Sequence, residues 1–195
     1  MAFYHDPRFE SPDNIFELPT LHKLEIRGHA MEIPARFPTA VRMGSLEYLA
    51  LHFGVLTATR PSDLAEFLNL YQTSLRTLHI QGLNLAAPDG AILSSLNKIS
   101  TLSLENCTIS PEFLLTLRDG LNGLLSVKVT GGATTFSNET AVEAFLDFVR
   151  ARCHANLDAA NPRQRLIDVQ VSRACGLSDR DELEIEQLLD PRALH

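Results

Sequence analysis

One short pattern returns six times along this chain: an apolar residue, two free positions, an apolar residue, one free position, an apolar residue. It reads Leu21-Leu24-Ile26, Leu46-Leu49-Leu51, Leu75-Leu78-Ile80, Ile99-Leu102-Leu104, Leu124-Val127-Val129 and Leu166-Val169-Val171. The first positions follow one another at 25, 29, 24, 25 and 42 residues. A recurring spacing in this range is the mark of a solenoid, in which each unit is too small to bury its own apolar side and folds by stacking on its neighbours. Such a chain works by offering a surface. Six units without a clear break predict one body. Residues 1–20 form an irregular N-terminal segment or partial cap, 21–177 the repeats, and 178–195 a C-terminal capping helix.

Each pattern predicts a short strand. Its fourth and sixth places are apolar and alternate with mostly polar residues, the period of two of a strand with one buried face. Strands of a doubly wound sheet, buried on both faces, would read as near-continuous apolar runs. The segments between the strands predict helices. Residues 61–73 open on Pro61 and place Leu64, Phe67, Leu68 and Tyr71 on one side. Residues 91–97 follow a Pro88-Asp89-Gly90 turn, and 111–119 start behind Ser110 and Pro111. The longest candidate spans 139–154, with Val142, Phe145, Leu146 and Val149 as its apolar stripe. A last helix on 179–190 begins with Ser178 and Asp181 in capping-box spacing and is expected to bury Leu183, Leu188 and Leu189. The stretch from Met31 to Ser45 contains Pro34 and Pro38, lacks helical periodicity and reads as an extended connection.

The segments Leu75-Arg-Thr-Leu-His-Ile80 and Ile99-Ser-Thr-Leu-Ser-Leu104, the second followed by Glu-Asn-Cys107, resemble leucine-rich repeats. The resemblance covers about residues 21–190. It implies a horseshoe with a parallel sheet on its concave side and helices on its convex side. The ninth place, where the family carries Asn or Cys, holds His29, Gly54, Leu83, Cys107, Gly132 and Ala174, which implies irregular turns. Degenerate repeats with Pro-rich loops and uneven lengths also resemble the C-terminal region of fungal F-box proteins. That likeness implies substrate recognition for a cullin-type ubiquitin ligase, with the ligase adaptor as a partner only if an F-box lies upstream.

In a horseshoe the places between the triplet residues face the concave side. The third places are Lys23, Tyr48, Thr77, Thr101, Ser126 and Asp168. The fifth are Glu25, Ala50, His79, Ser103, Lys128 and Gln170. The seventh are Arg27, His52, Gln81, Glu105, Thr130 and Ser172. Arg27, Tyr48, His52, Phe53, Arg76 and His79 make an aromatic and cationic group on neighbouring strands, of the residue types found at binding hot spots. The competing reading is a solvated sheet face whose aromatics pack on one another.

Charge and motifs narrow the function classes. The net charge of -7 argues against nucleic acid, because phosphate binding needs a basic face. Its acidic excess is concentrated on 179–190, read as the polar outer face of the cap. Three cysteines, Cys107, Cys153 and Cys175, form no Cys-x-x-Cys pair, so neither a disulfide framework nor a zinc site is expected. They read as reduced thiols in an intracellular compartment, cytoplasmic or nuclear. No apolar run approaches the length of a membrane span. Gly131-Gly132 lacks the lysine of a phosphate loop, His52 and His79 lack a third metal ligand, and no nucleophile elbow occurs. The expectation is a non-catalytic protein–protein interaction module with no cofactor and no metal. The alternatives are a free-standing repeat scaffold or inhibitor without a ubiquitin link, and an enzyme with an unrecognised site.

Overall fold

The computed structural model describes residues 16–28, 41–57, 64–132, 135–154 and 164–190. Each of the six patterns is the start of a strand. They are β2 (Lys23–Gly28), β4 (Tyr48–Thr57), β5 (Thr77–Leu85), β6 (Thr101–Glu105), β8 (Ser126–Thr130) and β9 (Asp168–Val171). They form one open parallel sheet in the order β2-β4-β5-β6-β8-β9, with β7 (Thr108–Ile109) added beside the far end of β5. A separate short pair joins β1 (Phe16–Glu17) to β3 (Val41–Arg42). The helices are α1 (Leu64–Leu70), α2 (Ala87–Ser94), α3 (Pro111–Arg118), α4 (Glu139–Cys153) and α5 (Asp179–Leu189). From α2 onward each packs against the next. The architecture is therefore mixed α/β with a parallel sheet that does not close into a barrel.

The strands share one register. Leu24, Leu49, Leu78, Leu102, Val127 and Val169 are mutual neighbours across the sheet, and so are Ile26, Leu51, Ile80, Leu104, Val129 and Val171. Both rows point into a hydrophobic cluster that continues through the helices to Ile185 of α5. A backbone device repeats at each layer entry. The carbonyls of His22, Glu47, Arg76, Ser100 and Leu125 each accept from two successive peptide N–H groups of the next layer, such as Arg76 and Thr77 on Glu47. Just before the strand, the N–H of the first triplet residue turns back onto the carbonyl of Leu18, Met43, Tyr71, Leu96 or Leu121. These five lead-in residues are apolar and packed in or against the core, which the triplet spacing alone did not reveal.

Several expectations are refined. β4 and β5 run well past the six-residue pattern, and between them the register slips after His52, with Thr57 opposite Leu83. Gly82 sits at this slip with φ +78, and a Cβ there would lie 2.3 Å from the Phe53 carbonyl oxygen. Pro88-Asp89-Gly90 is not a turn ahead of a helix but the first turn of α2 itself. Asp89 accepts from the Ala86 N–H at 2.9 Å, and Pro88 occupies a position whose N–H has no helical partner. In α5 the capping box of Ser178 and Asp181 forms as expected. However, Leu183 is exposed and Ile185 is the buried residue. The expectations for the segment before residue 16, for the connection through Pro34 and Pro38 and for the helix start at Pro61 lie outside the described residues.

One buried cation ties the last layers together. Arg152 of α4 is inaccessible to water. Its guanidinium donates to the carbonyls of Gly120, Leu121, Leu124 and Gln164. Helix α5 is held to α4 by Arg150, which donates to Glu184 at 2.6 Å and Asp147 at 2.7 Å.

Two substitutions test this packing. Leu102→Asp buries a carboxylate beneath the sheet and should abolish cooperative thermal unfolding, a loss of more than about 4 kcal/mol. A native melt would contradict the register. Gly90→Ala should destabilise in urea titration, although in an open helix the same change stabilises by about 1 kcal/mol. The reason is that a Cβ at Gly90 meets the Phe113 carbonyl oxygen at 2.8 Å and Thr116 Cβ at 3.0 Å.

Candidate functional site

Because side chains alternate along a strand, the register that buries the fourth and sixth places raises the third, fifth and seventh on the opposite face. The pairings align them as the sequence columns require. Lys23, Tyr48, Thr77, Thr101, Ser126 and Asp168 form one row; Glu25, Ala50, His79, Ser103, Lys128 and Gln170 form the next. Arg27, His52, Gln81, Glu105 and Thr130 form the third. Ser172, the last residue of that column, lies just beyond β9, its N–H on the Val129 carbonyl.

The face is half-covered rather than bare, and its side chains pair with one another. On β2, Glu25 meets Lys23 at 2.9 Å and Arg27 at 3.2 Å. The hydrogen bond and charge of Lys23, then those of Arg27, hold the Glu25 carboxyl below its ordinary pKa, and Glu25 in turn raises that of Lys23. The Lys23 ammonium also lies 4.6 Å from the centre of the Tyr48 ring. At the centre, the His52 and His79 rings are tilted against each other with centroids 5.1 Å apart. His52 Nδ1 is hydrogen-bonded to Gln81 Oε1, so its proton sits on that nitrogen. The methyl of Ala50, between Tyr48 and His52 along the strand, is fully covered.

His79 carries the most distinctive contacts. Its Nδ1 is 3.0 Å from Ser103 Oγ, and its Nε2 is 3.4 Å from Glu105 Oε2. The Nε2 contact lacks the alignment of a hydrogen bond, and that atom is buried with no other acceptor. The arrangement assigns the ring proton to Nε2 and leaves Nδ1 to accept from the serine hydroxyl. Burial is the main cause that depresses the pKa of His79, and the neighbouring His52 adds to it. Glu105 and Glu25 oppose the shift, and Lys128 reinforces it.

Of the sequence-predicted residues, the structure brings His52 and His79 together, sets Arg27 beside His52 in register, and places Tyr48 further along β4 under Lys23. Arg76 is exposed at the entry to β5, where its backbone takes part in the layer-entry bonds. Phe53 must be withdrawn from the group. It is only 4% exposed and belongs to the hydrophobic core. The physical reason is parity: the eighth place shares the side of the fourth and sixth. Gln81, Ser103 and Glu105 were not singled out, yet they are the direct partners of the two histidines. Their membership of the same three columns was the available signal.

Among the described residues no group of three or more His, Cys, Asp or Glu side chains is placed to hold a metal ion. Nor is any helix among them long and apolar enough to cross a membrane. The three thiols are buried and unpaired, and burial lifts the pKa of Cys107 to about 11. No protein-family model, curated protein or solved structure matches this chain.

The electrostatics of His79 give a measurable sign. With its folded pKa below 6.5, the unfolded chain binds more protons than the folded one between those two values. The contribution of neutral, buried His79 to stability is therefore complete above about 6.5 and is lost as pH falls through the folded pKa. An NMR titration should place the His79 midpoint below that of a free imidazole, and His79→Gln should flatten the pH dependence of the urea midpoint in this window. A His79 midpoint above the free value would contradict the assigned surroundings.

Proposed function

We propose that the chain is a leucine-rich-repeat solenoid that binds a protein partner through the half-exposed face of its parallel sheet. The observation that carries this reading is the alignment of three rows of polar, charged and aromatic side chains across five successive strand pairings. Such rows offer a broad, rigid surface with Tyr and Arg anchors.

Ser103, His79 and Glu105 have the order of a nucleophile, a base and an orienting carboxylate. Catalysis of acyl transfer also needs donors for the oxyanion. β6 is an interior strand, and its peptide groups are engaged by β5 and β8. This favours a Ser103–His79 hydrogen bond, with Glu105 beside the ring, that fixes the face over a hydrolytic site, and binding over chemistry. The role in substrate recognition for a ubiquitin ligase rests on repeat style alone. It stands if the reading frame that encodes this chain continues upstream into an F-box that binds the ligase adaptor. Without one, the free-standing scaffold is the better reading.

The binding face is tested by affinity capture followed by substitution. Tyr48→Ala and Arg27→Ala should leave the thermal melt native and weaken the captured partner's binding by about 1–2 kcal/mol each. Leu115→Ala, on the exposed side of α3, should change neither. Normal binding by both face variants, with loss on the α3 variant, would move the site to the helices.

A further inference from the structure

We propose that the β2–β4–β5 end of this face takes an extended, carboxylate-rich segment of a protein partner. The inference rests on the docking reading above and deepens it by naming the partner's charge. It starts from an imbalance. The chain carries a net charge of -7, yet among the described residues at this end Lys23, Arg27 and Arg76 stand against two carboxylates, Glu25 and Glu47. Glu25 is shared between Lys23 and Arg27, so the β2 group keeps a net positive charge. The side chains of Lys23 and Arg27 remain 61% and 72% exposed even while they hold it. The acidic residues gather elsewhere, six of them on 179–190 beside Arg180 alone.

Between these cations lie groups suited to an extended chain. Tyr48 offers a ring, and the His52–His79 pair offers imidazole nitrogens and a second aromatic surface. Three adjacent strands span about 10 Å, a distance that about three extended residues cover. The charged and titratable groups around His79 are Glu25 from β2, His52 from β4, Glu105 from β6 and Lys128 from β8. An added carboxylate would favour the imidazolium, so binding should take up protons and tighten as pH falls through the imidazole range. A polyphosphate is a poorer fit. Three cations are too few to track a phosphate backbone, and the Tyr48 ring that could stack a base already lies under the Lys23 ammonium.

The test uses the full chain and fluorescence anisotropy with three labelled probes: a peptide of alternating Glu and Thr, its Lys and Thr counterpart, and a single-stranded oligo-dT. The acidic peptide should bind, weaken with added salt and tighten as pH is lowered toward about 6. Arg27→Glu and Arg76→Glu should each weaken it roughly fivefold or more. Arg118→Glu and Arg173→Glu, outside the rows, should not weaken it. Failure of the acidic peptide to bind, or tighter binding of oligo-dT, overturns the inference. Binding of the Lys peptide that Tyr48→Ala abolishes overturns the charge assignment and leaves the docking face standing. Binding of the acidic peptide that the Arg118 or Arg173 variant abolishes, while the Arg27 and Arg76 variants bind normally, overturns both.

Discussion

A parallel strand of five or six residues buries too little surface to hold its shape, and everything in this molecule depends on how that deficit is met. Each layer places two apolar side chains of its strand directly beside the equivalent pair of the next, from Leu24 and Ile26 through to Val169 and Val171. A fully buried Leu or Ile contributes roughly 1.5–3 kcal/mol. No layer is stable alone, and each lends its neighbour the partner it lacks. The shared carbonyls at the layer entries fix the stacking in one register, because a slip of one residue would turn every core side chain toward water.

The same constraint creates the surface. With the fourth and sixth places committed to the core, the third, fifth and seventh have only the other face to occupy. Their side chains are then held in rows at strand spacing. The ion group on β2, the tilted histidine pair and the Ser103–His79 hydrogen bond, with Glu105 beside the ring, order the side chains of the face. A surface organised in this way loses little side-chain freedom on meeting a partner, which favours affinity. The partial burial of His79 among these groups also places the pH response of the face below the range of a free imidazole.

Much of this was legible in the sequence because two of its determinants are local. The triplet spacing located all six strands, and strict alternation put the three columns in their rows. Two caps with a specific side-chain chemistry were equally readable: Ser110 and Ser178 each accept from the first turn of a helix that begins where expected. What escaped depended on contacts between layers. Pro88-Asp89-Gly90 has the composition of a turn, yet it opens α2, and α3 packs so closely there that a Cβ at position 90 would clash. Nothing in the local pattern marks Arg152, on which the carbonyls of Gly120, Leu121, Leu124 and Gln164 converge. Phe53 was assigned to the face by proximity, when its place in the alternation assigns it to the core.

The central claim is that the polar face of the sheet, and not the helical side, meets the partner. The most direct measurement is site-specific photo-crosslinking in the purified complex. One photoreactive residue replaces Thr101, in the first row at the centre of the sheet, and another replaces Leu115, on the exposed side of α3. The account predicts a partner adduct from position 101 and none from position 115. An adduct from position 115 alone would contradict it and assign recognition to the helices.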